Sequence, residues 1–222
     1  MTDALITRLD VVDPEFEEAL ARLLISPAEA DPHLIQTVSQ ILRSVASEGD
    51  AALLQLTNEL DQRDAPTAAS LRVHAEAMEE AVTGIDAEVR SALEQAAERI
   101  RVFHERQLAS SWQFEDGEGN VLGQRISALD RVGVYVPGGR ASYPSSVLMN
   151  AIPAKVAGVA QIVMVAPAPR GHINPVVLAA AALAGVDEVY TVGGAQAIAA
   201  LPYGTDTLPR VDKIVGPGNR YV

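Results

Sequence analysis

The chain has 222 residues, 48% of them hydrophobic, no cysteine, and a formal net charge of −12. A chain this apolar can bury a core, which excludes global disorder. The acidity excludes the basic face of a nucleic-acid binder, and the absence of cysteine excludes disulfides and thiolate metal sites.

The first twenty residues, MTDALITRLDVVDPEFEEAL, lack the basic-then-apolar order of a secretory signal. No window reaches the roughly 18 to 20 uninterrupted apolar residues of a membrane span. A cytoplasmic protein without membrane or nucleic-acid partners is the expectation.

Residues 1–129 read as a mainly helical part that ends in a hairpin. From Leu34 the apolar positions Val38, Ile41 and Val45 step by four, three and four. Asp31-Pro32 before them is an N-cap followed by proline at the first helical position. A second helix is predicted over residues 51–60, then a loop, DQRDAPTAASL. The clearest helix covers residues 86–107, with the stripe Val89, Leu93, Ala96, Ile100 and Phe103 opposite a charged face. Residues 112–129 change to strand periodicity around a glycine-rich turn, which predicts a hairpin.

Residues 130–222 repeat a strand–helix pattern. The predicted strands VGVYV, IVMVA, EVYTV and KIVG recur at the interval of a βαβ unit, separated by helices over 145–159, 174–184 and 195–201. Strands apolar on both sides imply burial on both faces. The expected fold is therefore α/β: a parallel, Rossmann-like sheet with helices on both faces, preceded by the helical amino-terminal part. Pro153 predicts a kink or a shortened start for the first of these helices. After GPGN, Arg220, Tyr221 and Val222 should open another helix, so the chain reads as part of a longer protein with this domain truncated at its last helix.

In a parallel sheet the loops after successive strands emerge at one edge, where ligands bind. Three of these loops carry glycines: VPGGRASYP, VGGAQAIAAL and VGPGNRYV. Glycine allows close backbone approach, and each loop precedes a helix N-terminus that attracts anions. The polar residues there are Tyr135, Ser142, Tyr143, Gln196 and Asn219. They are neutral donors and acceptors, suited to a ribose, amide or phosphate and unsuited to proton abstraction. Each also has a plainer role: Tyr135 as a packing residue, Gln196 as a surface side chain in the first turn of a helix serving local backbone, Asn219 as an N-cap. None of His33, His74, His104 and His172 falls in a metal-ligand motif, and no nucleophile turn is present. The residues thus describe a binding edge without catalytic or metal-ligating groups.

The segments VGVYVPGGRASYPSSVLMNAIPAKVAGV, VYTVGGAQAIAALPYGT and VDKIVGPGNRYV, in that order and spacing, closely resemble the histidinol dehydrogenase family. The resemblance extends back through DGEGNVLGQRISALDRVGVYVPGG and RIRVFHERQ. It implies oxidation of L-histidinol to L-histidine in two steps through an aldehyde, with two NAD molecules, one zinc per site and an intertwined homodimer. It further implies that NAD is contacted by Tyr135, Gln196 and Asn219. The zinc ligands, substrate-holding residues and proton-moving Glu-His pair of the family lie beyond residue 222, so the chain by itself is expected to be inactive. The alternatives are a dehydrogenase of the same family acting on another small alcohol, and a non-catalytic nucleotide-binding module.

Overall fold

The computed structural model describes residues 8–24, 32–138 and 143–218. Met1–Thr37 forms one compact unit and Val38–Val222 another.

In the first unit, helix α1 (Phe16–Leu24) opens with Glu17 and Glu18 and closes with Arg22, charges that suit the two ends of the helix dipole. Just before it, Asp13 Oδ1 accepts from the Glu15 N–H at 3.0 Å. Helix α2 (Pro32–Glu48) begins at the predicted proline. The expected cap, Asp31, lies outside the described residues.

Helix α3 (Asp50–Leu60) follows at once and buries Ala52, Leu53 and Thr57. Strand β1 (Arg72–Val73) and helix α4 (Ala75–Gly84) come next; neither is among the predicted elements. Two residues are too few for a period to register, and α4 shows only Met78 and Ala81 as buried positions. Helix α5 (Ala87–Glu105) starts where expected, because Asp86 Oδ1 accepts from the N–H groups of Glu88 and Val89 at 2.8 and 3.3 Å. Its buried seam is narrower than the predicted stripe. Leu93 and Ala97 are buried and Ala96 and Ile100 partly so, while Val89 and Phe103 are exposed.

The hairpin of β2 (Trp112–Glu115) and β3 (Val121–Gln124) pairs Trp112 with Gln124 and Glu115 with Val121. Asp116 closes the turn: its Oδ1 accepts from the N–H groups of Glu118 and Asn120 at 2.9 and 2.8 Å.

Strands β4 (Arg131–Tyr135), β5 (Gln161–Val165), β6 (Glu188–Tyr190) and β7 (Lys213–Val215) are parallel, as expected. They alternate with α6 (Pro144–Val156), α7 (Pro175–Ala184) and α8 (Gly194–Tyr203). The sheet order is β1-β6-β5-β4-β7. The sheet is not wholly parallel: β1 joins its edge antiparallel to β6, with Arg72 opposite Tyr190. Helix α6 does not start late; it runs through Pro153 and ends three residues on. A proline this close to the C-terminus forfeits one intrahelical bond and little more of the helix follows to be disturbed.

Alternation along the strands sorts the core into two layers. Val132, Val134, Ile162, Met164 and Val189 pack with residues of α4, α5, α6 and α7. Tyr135, Val163, Val165 and Tyr190 pack with residues of α2, α3 and α8. Helices therefore cover both faces. The chain adds β5 and β6 to one side of β4, then returns through α8 to add β7 on the other. The strand order thus reverses at β4, and Tyr135 is its last residue.

Candidate functional site

The carboxyl ends of the strands line up in register. Tyr135 stands opposite Val165, and Val165 opposite Tyr190. The loops leaving this row close on one another. A Cβ added to Gly138 would lie 2.8 Å from the Pro167 carbonyl oxygen, and one at Gly193 would overlap the Pro167 ring. The loops after β4 and β6 thus both press on the proline-rich loop after β5. Gly216, at φ 137°, brings the turn after β7 against the Tyr135 carbonyl so closely that any side chain would collide there.

Two of the three predicted cofactor-contacting residues meet at this edge. The Tyr135 hydroxyl accepts a hydrogen bond from the Gly194 N–H at 3.2 Å. Gly194 opens α8, and the Gln196 Oε1 lies 2.9 Å from the position a Gly194 Cβ would take. Tyr135 is buried, and burial, with the negative charge of Asp61 nearby, pushes its phenol pKa up. Gln196 is only 1% exposed, which corrects the expectation of a surface side chain. The α3 and α8 helices pack together on this face of the sheet and enclose it. Nor does it serve local backbone: its buried Oε1 has no hydrogen-bond partner among the described residues. Asn219 and Ser142 lie outside the described residues. Tyr143 stands before α6, is 42% exposed and makes no capping bond.

Two further residues reach this edge that the sequence patterns do not single out. Asp61, just past the end of α3, has a buried Oδ2 with no hydrogen-bond partner among the described residues. Burial raises its carboxyl pKa against the opposing pull of Arg63. Arg63 itself is turned to β6: its Nη1 donates to the Thr191 carbonyl at 2.7 Å and to Thr191 Oγ1 at 2.6 Å. Nothing in the loop DQRDAPTAASL marks either residue, because their partners lie far along the chain.

Among the described residues no group of three or more His, Cys, Asp or Glu side chains is placed to hold a metal. The His104 ring Nδ1 is 2.6 Å from Gln107 Oε1 on the exposed end of α5. The edge presents the buried polar side chains of Tyr135 and Gln196, and the buried Asp61 Oδ2, among closely packed glycine turns.

An open α/β sheet with glycine turns converging outside its carboxyl ends defines the class: a sheet domain whose ligand edge lies at the reversal of strand order. The profile of the histidinol dehydrogenase family matches residues 25–222. The chain is 56% identical over 219 residues to the histidinol dehydrogenase of Aromatoleum aromaticum, covering 99% of this chain and 50% of that protein. It is 56% identical over 215 residues to that of Psychrobacter arcticus, covering 97% and 50% respectively. The crystal structure of histidinol dehydrogenase from Elizabethkingia anophelis superposes with a TM-score of 0.80 at 34% identity, over 87% of this chain and 44% of that one. The chain belongs to the histidinol dehydrogenase family. It spans about half the length of the curated relatives it matches.

Proposed function

We propose that this chain supplies the cofactor-binding edge of an NAD-dependent dehydrogenase that oxidises L-histidinol to L-histidine in the cytoplasm. The observation that carries the reading is the meeting of Tyr135 and Gln196 at the Gly193-Gly194 turn, in a chain whose relatives bear that enzyme's name. Residues 130–222 would form the nucleotide-binding part, and residues 1–129 would contribute to the protein's first domain.

NAD, when bound, supplies the hydride acceptor. The residues of this chain bind and orient it. The glycine turns let backbone come close, Gln196 offers a buried acceptor, Tyr135 fixes the turn that carries Gln196, and Asn219 completes the set. Burial of Tyr135 and Gln196 keeps water from these contacts, which strengthens each one.

The family resemblance also implies zinc. The described residues hold no matching ligand set. The resemblance puts zinc ligands and proton-moving residues beyond residue 222. The 222 residues alone are therefore expected to bind cofactor without turning histidinol over.

A homodimer belongs to the same reading. Its support is the exposed apolar face of the hairpin: Trp112, Phe114 and, opposite Phe114, Leu122.

The test is a pair of assays on the protein at its full encoded length. NAD titration should show saturable binding, and histidinol with NAD should yield NADH and histidine. Binding without histidinol turnover, but with turnover of another small alcohol, would move the substrate and leave the cofactor reading standing.

A further inference from the structure

Three buried side-chain oxygens among the described residues lack a hydrogen-bond partner: Thr57 Oγ1, Asp61 Oδ2 and Gln196 Oε1. They are not scattered. Thr57 and Asp61 stand one turn apart at the C-terminal end of α3, and Gln196 sits in the first turn of α8, the helix that packs against α3. Buried polar atoms are nearly always paired, so a group of unpaired ones calls for a partner from outside the chain.

Asp61 is the most demanding of the three, because it is the only one that carries charge. Its backbone is held from two sides. The Asp61 N–H donates to the Thr57 carbonyl at 3.0 Å, and its own carbonyl accepts from the Arg170 N–H at 2.9 Å. The carboxylate is therefore fixed between α3 and the loop after β5. The nearby cation does not neutralise it: Arg63 is committed to Thr191, and Asp61 forms no ion pair among the described residues. It is near enough to Tyr135 for its charge to oppose ionisation of the phenol.

We propose that Asp61 is a further residue of the cofactor site, its Oδ2 accepting a hydrogen bond from a ribose hydroxyl of the bound dinucleotide beside Tyr135 and Gln196. This rests on the NAD reading above. The chemistry selects the partner. An ionised carboxylate only accepts, so it needs a donor and repels a phosphate. No second and third ligating side chain stands by to make a metal site among the described residues. Ribose hydroxyls are neutral donors carried by both halves of a dinucleotide, and one of them would relieve an oxygen that the fold leaves unpaired.

The experiment uses the protein at its full encoded length, as found and with Asp61→Asn or Asp61→Ala. Calorimetric titration is run with NAD, with AMP and with nicotinamide mononucleotide, and melting temperature is recorded for each protein. Asp61→Ala is expected to weaken NAD about tenfold to a hundredfold, the range for a charged hydrogen bond, with a smaller loss for Asp61→Asn, which keeps one acceptor. The loss should recur with one half-ligand: with AMP if the adenosine ribose is the donor, with the mononucleotide if the nicotinamide ribose is. Either pattern supports the proposal. Asp61→Asn that stays folded and binds all three ligands unchanged overturns it. Failure of the unsubstituted protein to bind NAD is a different result: it overturns the cofactor reading itself.

Discussion

The hydroxyl of Tyr135, at the end of β4, accepts the N–H of Gly194, at the start of α8, at 3.2 Å across 59 positions of sequence. This bond ties the first glycine loop to the second. It fixes the backbone from which Gln196 projects, so the shape of the candidate cofactor edge depends on one phenolic oxygen.

Tyr135→Phe removes that oxygen and leaves the ring's packing intact. The expected loss is about 0.5–1.5 kcal/mol, which in a protein of this size lowers the melting temperature by about 2–4 °C for each kcal/mol. NAD affinity should fall as well, because the turn carrying Gln196 loses its anchor. Thermal denaturation and NAD titration check the two effects. A variant with an unchanged melting curve would show that the bond contributes nothing in solution.

Gln196→Met replaces a buried, unpartnered amide by an apolar side chain of similar length. An orphaned acceptor costs about 1–3 kcal/mol, so stability should hold or rise. NAD affinity should drop roughly two- to twelvefold, the value of one neutral hydrogen bond. A purely structural glutamine would do the opposite, losing stability and keeping affinity.

Asp61 gives a pH signature with an unusual sign for a carboxylate. Burial raises its pKa above 3.8 in the folded chain, while Arg63 pulls it down and Tyr135 faces it. The folded state then holds the proton more tightly than the unfolded state. The stability this group contributes is complete below the unfolded pKa and is lost as pH rises through the folded one. Asp61→Asn abolishes that loss. The variant should gain on the parent protein as pH is raised from about 4 to 7, read as the difference between their denaturant midpoints. A difference independent of pH would mean that the carboxyl is solvated.

The hairpin makes a prediction about association. Trp112 and Phe114 stack at a centroid distance of 6.2 Å, and each is more than half exposed. Together with Leu122, opposite Phe114 on the same face, they form an apolar surface of the kind that mediates contact between proteins. Trp112→Ser with Phe114→Ser should lower self-association in sedimentation or light scattering and leave the melting temperature within about 0.5 kcal/mol of stability, as exposed positions do. An oligomeric state indifferent to both changes would place the contact elsewhere.

Much of this architecture is written locally. The β-branched runs at Val132, Ile162 and Val189, each followed by a turn and an Ala/Leu-rich helix, specify parallel strands with little help from the rest of the chain. The glycine turns and the family motifs then mark Tyr135 and Gln196 as site residues, because turn chemistry and motif spacing are properties of neighbours in sequence. What periodicity left out was decided by packing between distant elements. The edge strand β1 exists because Arg72 and Val73 meet β6, and two residues carry no period of their own. Gln196 reads as a surface residue of a helix's first turn until α3 closes over α8 and buries it. Asp61 is an ordinary acidic residue in a polar loop until α3 and the loop after β5 hold it, unpaired, beside Tyr135. Element type follows from the local alternation of apolar and polar side chains. Burial and pairing of a polar group follow from which other segments come to lie against it, and that is set only when the whole sheet and both helix layers have assembled.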